Sequence, residues 1–215
     1  GPYLAAACAS LGANVLSCET VDDTGQTFID AVQRARRMGA DLIVSTGAVS
    51  MGRYDFVPEA LAELGAQVLF HKVAIRPGKP QLAATLDDAM VFALPGTPMA
   101  VAVGLRFFIA PVLRAMRGQA AEPAWHATLD TPQQPKPGLR HFLRATVIQD
   151  ETGQLHAQLL AQQQPFRIHP FAQAGAWVVL PEDAVDAVAG SRVIVASLHP
   201  GEPLLTVADQ SGVGS

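Results

Sequence analysis

Charge is scarce in this chain: lysine, arginine, aspartate and glutamate make up 16% of its 215 residues, and the formal net charge is -4. A nucleic-acid binder would carry a basic excess on one face, so that class is disfavoured. With only two cysteines, Cys8 and Cys18, there is no disulfide framework and no paired C-x-x-C zinc spacing, which fits a reducing, intracellular setting. The six histidines are scattered, with no H-E-x-x-H and no facing pair, so neither a zinc site nor a triad is signalled. Both nucleotide fingerprints, G-x-G-x-x-G and the Gly-Lys-Ser/Thr ending of a P-loop, are missing. The Ala-rich start from Pro2 to Leu11 has no basic leader, and no later stretch reads as long and apolar enough to span a bilayer. The expectation is a cytoplasmic protein whose partners are small molecules or proteins, not nucleic acid or membrane.

Hydrophobic residues, in contrast, form 49% of the chain, enough for one substantial core or two modest ones. Up to about Arg117, helical and strand signals alternate and each pair closes on a glycine. This is the pattern of a doubly wound, parallel-sheet α/β domain. Val15-Leu16, Leu42-Ile43-Val44, Val68-Leu69-Phe70 and Met90 to Leu94 read as strands. Thr27 is placed to cap a helix, Pro58 to open another, and Met99 to Met116 reads as a long buried helix. Gly1-Pro2 leads straight into a helix where such a domain normally opens on a strand, so the opening strand is expected to be missing. The expected organisation is an α/β domain over 1–118, a Pro-rich linker over 119–138, an all-β barrel over 139–208 and a disordered tail over 209–215. The barrel strands are read at Phe142 to Ile148, Leu155 to Leu160, Ala176 to Leu180, Arg192 to Ser197 and Leu204 to Val207. Trp125 and Trp177 read as packing residues, and Cys18 as a small buried hydrophobe.

In open parallel sheets, ligands bind beyond the carboxyl ends of the strands, where loops and helix N-termini converge. Three loops qualify. One carries Asp22 and Asp23; the second runs Ser45-Thr46-Gly47-Ala48-Val49-Ser50-Met51-Gly52 with Asp55 just beyond; the third is Pro95-Gly96-Thr97-Pro98. Gly47 and Gly52 would let backbone N–H groups approach a phosphate beside the hydroxyls of Thr46 and Ser50, although a plain strand-to-helix turn explains the same residues. Asp55 and Asp22 are candidates to hold Mg²⁺ beside a pyrophosphate, because Mg²⁺ takes one or two carboxylates and fills its octahedron with water and phosphate. The competing reading of Asp22 and Asp23 is helix capping. His71 to Pro80 concentrates Lys72, Arg76 and Lys79, an anion clamp if it is not a solvated face.

Taken together, Thr46-Gly47-Ala48-Val49-Ser50-Met51-Gly52 with Asp55, then Phe70 to Pro80, then Leu94-Pro95-Gly96-Thr97-Pro98, resemble the molybdopterin-binding domain of the molybdopterin molybdotransferases. The E region of gephyrin contains the same domain. The segment from Phe142 through Val178-Val179-Leu180-Pro181 looks like that family's terminal barrel. The resemblance implies Mg²⁺-dependent cleavage of adenylylated molybdopterin with release of AMP, coupled to insertion of molybdate, the metal substrate, at the dithiolene. It implies catalytic roles for Asp22, Asp55, Lys72 and Lys79, with Asp55 and Asp22 on the metal. Thr46, Gly47, Ser50, Gly52, Arg76, Pro95, Gly96 and Thr97 are matched to the substrate pocket. It also implies a homodimer, and that the chain as given is an incomplete enzyme, inactive alone. Ala48 stands where the family has a glycine and Thr97 where it has an asparagine. The rival readings are a non-catalytic pterin-binding or scaffold protein of this fold, a molybdopterin adenylyltransferase, and a nucleotide pyrophosphatase.

Overall fold

A computed structural model describes residues 1–49, 56–164, 166, 169–204 and 206–208. It contains two compact units, one formed by Gly1–Val73 and Gly78–Gln119, the other by Ala74–Pro77 and Ala120–Ser215. In chain order the elements up to Met116 are α1 (Pro2–Ser10), α2 (Gly25–Arg37), β1 (Leu42–Thr46), α3 (Val57–Glu63), β2 (Gln67–His71), β3 (Ile75–Arg76), β4 (Leu82–Leu86) and β5 (Ala89–Leu94). A long helix follows, made of α4 (Pro98–Gly104), a π-helical stretch (Leu105–Ile109) and α5 (Ala110–Met116).

The first unit is α/β, with a four-stranded sheet in the order β1-β5-β4-β2. β1 and β5 are parallel, while the hairpin of β4 with β5 and the pair of β2 with β4 are antiparallel, so the sheet is mixed. Side chains alternate across it. Leu82, Ala84, Leu86, Val91 and Ala93 pack with Phe28, Ile29 and Val32 of α2 and Val57, Ala60 and Leu61 of α3. Ala83, Phe92 and Leu94 pack on the other face with Leu4 and Leu11 from the α1 region and Leu105, Ile109 and Leu113 of the long helix. Burial of each large aliphatic side chain here contributes about 1.5–3 kcal/mol.

Several sequence expectations are corrected. Val15 and Leu16 form no strand; each is 40% exposed, and two apolar residues make a strand only where a neighbour takes up their backbone groups. The cap of α2 is Thr24, not Thr27. Thr24 has extended φ and ψ and its Oγ1 accepts the Thr27 N–H at 3.3 Å, whereas Thr27 already lies in the first helical turn. Cys18 is exposed. The stretch Pro98–Met116 does meet the length and apolarity of a membrane span. Its apolar residues, among them Met99, Val103, Leu105 and Ile109, are the buried face of this unit's own core. Its π-helical stretch ends just before Pro111. That residue has no N–H for the Phe107 carbonyl and its ring would collide with it, so widening the helix there relieves the clash.

The second unit is built on β6 (Trp125–Leu129), β7 (Arg140–Gln149), β8 (Leu155–Leu159), α6 (His169–Gln173), β9 (Ala176–Leu180), β10 (Arg192–Ser197) and β11 (Thr206–Ala208). β7, β8, β6, β10 and β9 pair in that order and β9 returns to β7, which closes a barrel. Strands β3 and β11 add to β7 in parallel. Leu129, Leu143, Ala145, Val178, Leu180 and Val195 fill the interior. The barrel thus takes β6 from the stretch expected as a linker. Trp177 is buried and its indole N–H donates to the Leu198 carbonyl at 3.1 Å, but Trp125 is 49% exposed. The segment 209–215 lies outside the described residues.

Candidate functional site

In the first unit, β1, β2 and β5 all run toward one edge of the sheet and β4 starts there. Thr46 is the exposed last residue of β1, paired in register with Leu94, the last of β5. The next residue, Gly47, has φ 91° and its N–H donates to the Leu94 carbonyl at 2.9 Å. This bond joins the loops after β1 and β5. A Cβ on Gly96 would stand 3.6 Å from Gly47 Cα, an ordinary contact distance, so the two loops run side by side. Ala48 follows with φ 51°, a left-handed conformation that glycine adopts more easily.

The third loop turns Pro95-Gly96-Thr97 into α4. Pro95 is buried, whereas Gly96 and Thr97 are exposed. Thr97 is the N-cap of α4 but makes no capping bond with its side chain. Thr97 and the start of α4 thus follow β5 at this same end of the sheet, where the helix dipole favours an anion.

Lys72 directly follows β2, exposed and at φ 69°, with its N–H donating to the Gln81 carbonyl at 2.9 Å. Val73 N–H donates to the Lys79 carbonyl at 2.8 Å. These two bonds bring Lys72 and Lys79 together although the sequence separates them by a six-residue excursion. Arg76 is not grouped with them: with Ile75 it forms β3, in register with Arg140 and His141 of β7 in the second unit. Three lateral steps separate β1 from β2. At 4.7–4.9 Å per step this is roughly 14 Å from Thr46 to Lys72, the span of an elongated, multiply anionic ligand and not of a single phosphate.

Asp22 lies in the exposed segment leading into α2, and the four residues 38–41 between α2 and β1 are a connection short enough to turn the chain back, which puts the start of α2 toward the end of the sheet where β1 finishes. The Asp22 carbonyl accepts from Thr24 N–H at 2.8 Å and Thr27 Oγ1 at 2.7 Å, which leaves the carboxylate out of the capping network. A cavity of about 210 Å³ is lined by Glu19, Asp22, Thr27, Asp30 and Arg34, with Glu19 and Arg34 paired at 2.8 Å. Among the described residues no group of three or more His, Cys, Asp or Glu side chains is placed to hold a metal ion. Ser50, Gly52 and Asp55 lie outside the described residues.

Three polar groups here were not singled out from sequence. Gln81 is fully buried with neither amide atom bonded, and the Ser45 hydroxyl and His71 Nε2 are buried without partners. Each precedes or faces a residue that was singled out, but burial without a partner leaves no trace in sequence.

Residues 1–115 match the family model described as a probable molybdopterin binding domain, and residues 126–198 match the MoeA C-terminal region, domain IV. The chain belongs to the molybdopterin molybdotransferase family. It is 36% identical over 199 residues to a molybdopterin molybdenumtransferase of Synechococcus elongatus, covering 92% of this chain and 48% of that protein. It is 33% identical over 172 residues to the enzyme of that name from Bacillus subtilis, covering 79% of this chain and 40% of that one. The chain therefore spans about half the length, or less, of these curated relatives. Among solved structures, a MoeA molybdopterin biosynthesis protein of Pyrococcus horikoshii superposes with TM-score 0.72 at 23% identity, over 92% of this chain and 47% of that one, a likeness of fold. The shared family accounts for the order of the two units, an α/β domain followed by a barrel.

Proposed function

We propose that this chain forms the molybdopterin-binding and barrel portions of a molybdotransferase that cleaves adenylylated molybdopterin, releases AMP and places molybdate on the dithiolene. The observation that carries this reading is the convergence of Thr46-Gly47, Gly96-Thr97, Lys72 and Lys79 on one sheet end. Backbone N–H groups and the Thr46 and Thr97 hydroxyls would take the pterin phosphate, while Lys72 and Lys79 would offset charge on the diphosphate and attract the molybdate dianion. The bonds from Lys72 N–H to Gln81 and from Val73 N–H to Lys79 fix both lysine backbones beforehand, so only the side chains remain for the ligand to order. Asp22, free of the capping network, fits the one or two carboxylates that Mg²⁺ needs beside phosphate oxygens, with Asp55 as the second. Mg²⁺ would supply charge neutralisation at the leaving group. The protein would work in the cytoplasm, as a homodimer, with the remaining length of its relatives' chains needed for turnover.

The test is calorimetric titration of this chain with adenylylated molybdopterin, with and without Mg²⁺, using Asp22→Asn, Lys72→Ala and Lys79→Ala. Loss of one charge-assisted contact at each lysine weakens binding by roughly 10- to 100-fold, and Asp22→Asn removes the Mg²⁺ dependence. Binding indifferent to Mg²⁺ and to all three substitutions would leave a fold without this site.

A further inference from the structure

The barrel of the second unit closes through five seams of unequal length. The pairs β7–β8 and β7–β9 each match five residues and β10–β6 and β10–β9 four, but the parallel pair β6–β8 matches only two, Thr128 with His156 and Leu129 with Ala157. One further backbone bond extends it, from Asp130 N–H to the Ala157 carbonyl at 3.0 Å. The shortest seam is also bridged by a histidine held between two carboxylates. His156 Nδ1 lies 3.0 Å from Asp130 Oδ1, just past the end of β6, and His156 Nε2 lies 3.2 Å from Asp150 Oδ2, just past the end of β7.

The Asp150 carboxylate is held in place by its own turn, while the Asp130 backbone is tied to β8 by its N–H. Asp150 Oδ1 accepts from Thr152 N–H at 2.8 Å, Thr152 Oγ1 at 2.7 Å and Gln154 N–H at 2.9 Å. The Asp150 carboxyl is accordingly held down to about 2, first by the Thr152 hydroxyl. It is therefore an anion across the range in which histidine titrates. A neutral imidazole has one N–H and one lone pair, so it can serve only one of these two acceptors and must turn its lone pair toward the other. Only the imidazolium donates to both. The charges acting on His156 are these two carboxylates, and Thr128 and Ile148, its partners in register, are uncharged.

We propose that the His156 imidazolium, clamped between Asp130 and Asp150, is a pH-responsive clasp that holds the β6–β8 seam of the barrel closed and releases it when the proton is lost. The bonds to Asp130 and then Asp150 raise the His156 pKa above its ordinary value. The sign follows: the clasp is complete below the unfolded pKa and is lost as pH rises through the folded one. Loss of the proton removes one bond, sets a lone pair against a carboxylate, and leaves the seam with its two residue pairs and the Asp130 amide bond. The Asp150 arm of the clasp crosses the β7–β8 seam, which keeps its five residue pairs, and the Arg140–Glu182 pair beside β7–β9 does not involve a histidine, so the effect of losing the proton falls on β6–β8.

The experiment is an NMR titration of the histidine Cε1 protons in the full chain, with amide exchange of Asp130 measured across the same pH range. It compares the parent with His156→Gln and Asp130→Asn. The His156 midpoint is expected above 6.5 in the parent and lower in Asp130→Asn. The Asp130 amide is expected to be roughly two- to fivefold better protected in the parent than in His156→Gln at acidic pH, the ratio falling to about one above the midpoint. Because all three side chains are largely outside the core, the variants should fold; Asp130→Asn, which preserves shape, is the control if His156→Gln does not. A midpoint at or below the ordinary histidine value, or a protection ratio that does not change with pH, overturns the proposal.

Discussion

Replacing Gln81 by Met should stabilise the first unit. Gln81 has no exposed surface, and its Nε2 and Oε1 find no partner. Its Oε1 lies 3.2 Å from where a Cβ on Gly104 would stand, so the amide is pressed between the sheet and the long helix. A buried polar group without a bond costs about 1–3 kcal/mol, and two such groups on one side chain are not additive because they share one desolvated volume. Methionine has nearly the same length and volume and adapts its rotamers, so packing changes by well under the desolvation gain. The backbone role of residue 81, accepting the Lys72 N–H, is retained. The net expectation is about 2 kcal/mol, which in a unit of this size raises the thermal midpoint by roughly 5–10 °C. Calorimetry on the full chain, where the transition of the first unit is followed separately, measures this. A fall in the midpoint would mean that the amide is bonded in the folded protein and would refute the reasoning.

Three other substitutions test separate parts of the structure. Ala48→Gly relieves a left-handed alanine; the relief of about 1–2 kcal/mol exceeds the extra chain entropy of glycine, so the urea midpoint should rise, by about 0.5–1 kcal/mol in free energy. Thr24→Ala removes the α2 cap and should cost about 1 kcal/mol, read from the same denaturation curve, while Thr27→Ala, which spares the cap acceptor, costs less. His141 is 5% exposed, with Nε2 3.1 Å from Lys136 N, and burial pushes its pKa below the ordinary value, aided by Arg76 in register on β3. Its contribution is therefore present above the unfolded pKa of about 6.5 and lost as pH falls through the lower folded one. His141→Gln should flatten the acid limb of the stability profile, and an unchanged limb would show that the imidazole does not titrate with unfolding.

The elements that were legible in the sequence are those whose local signal and tertiary role coincide. Leu42-Ile43-Val44 and Met90 to Leu94 are short apolar runs bounded by turns, and they form the parallel pair β1–β5. The strand between them and β2 escaped because Leu-Ala-Ala-Thr-Leu contains little of the β-branched character that marks strands. It is a strand because both of its faces are covered: Leu82 and Ala84 face α2 and α3, and Ala83 faces the long helix. Val15-Leu16 failed for the converse reason, having strand composition but no ladder. β6 was hidden by Pro123 and Pro132 on either side of it, which made the whole stretch read as a linker. Alternation of buried Ala127 and Leu129 with the more exposed His126 and Thr128 was the available signal, and five residues are too few to outweigh the prolines.

At the site, the sequence separated what the fold joins and joined what it separates. Lys72, Arg76 and Lys79 stand within eight residues and read as one cationic clamp. The backbone divides them: Lys72 and Lys79 share the rim of the first unit's sheet, while Ile75, 6% exposed, anchors Arg76 in the parallel edge of the second unit's sheet. Closeness along the chain is not what sets the two lysines. That task falls to the Lys72–Gln81 and Val73–Lys79 backbone bonds, which close whatever residues lie between. Side chains inside the excursion act first on the β3–β7 pairing, and the lysine pair responds to changes at residues 72, 73, 79 and 81. Spacing along the chain is a poor measure of such a cluster, because what places cations side by side is the register of the strands that carry them.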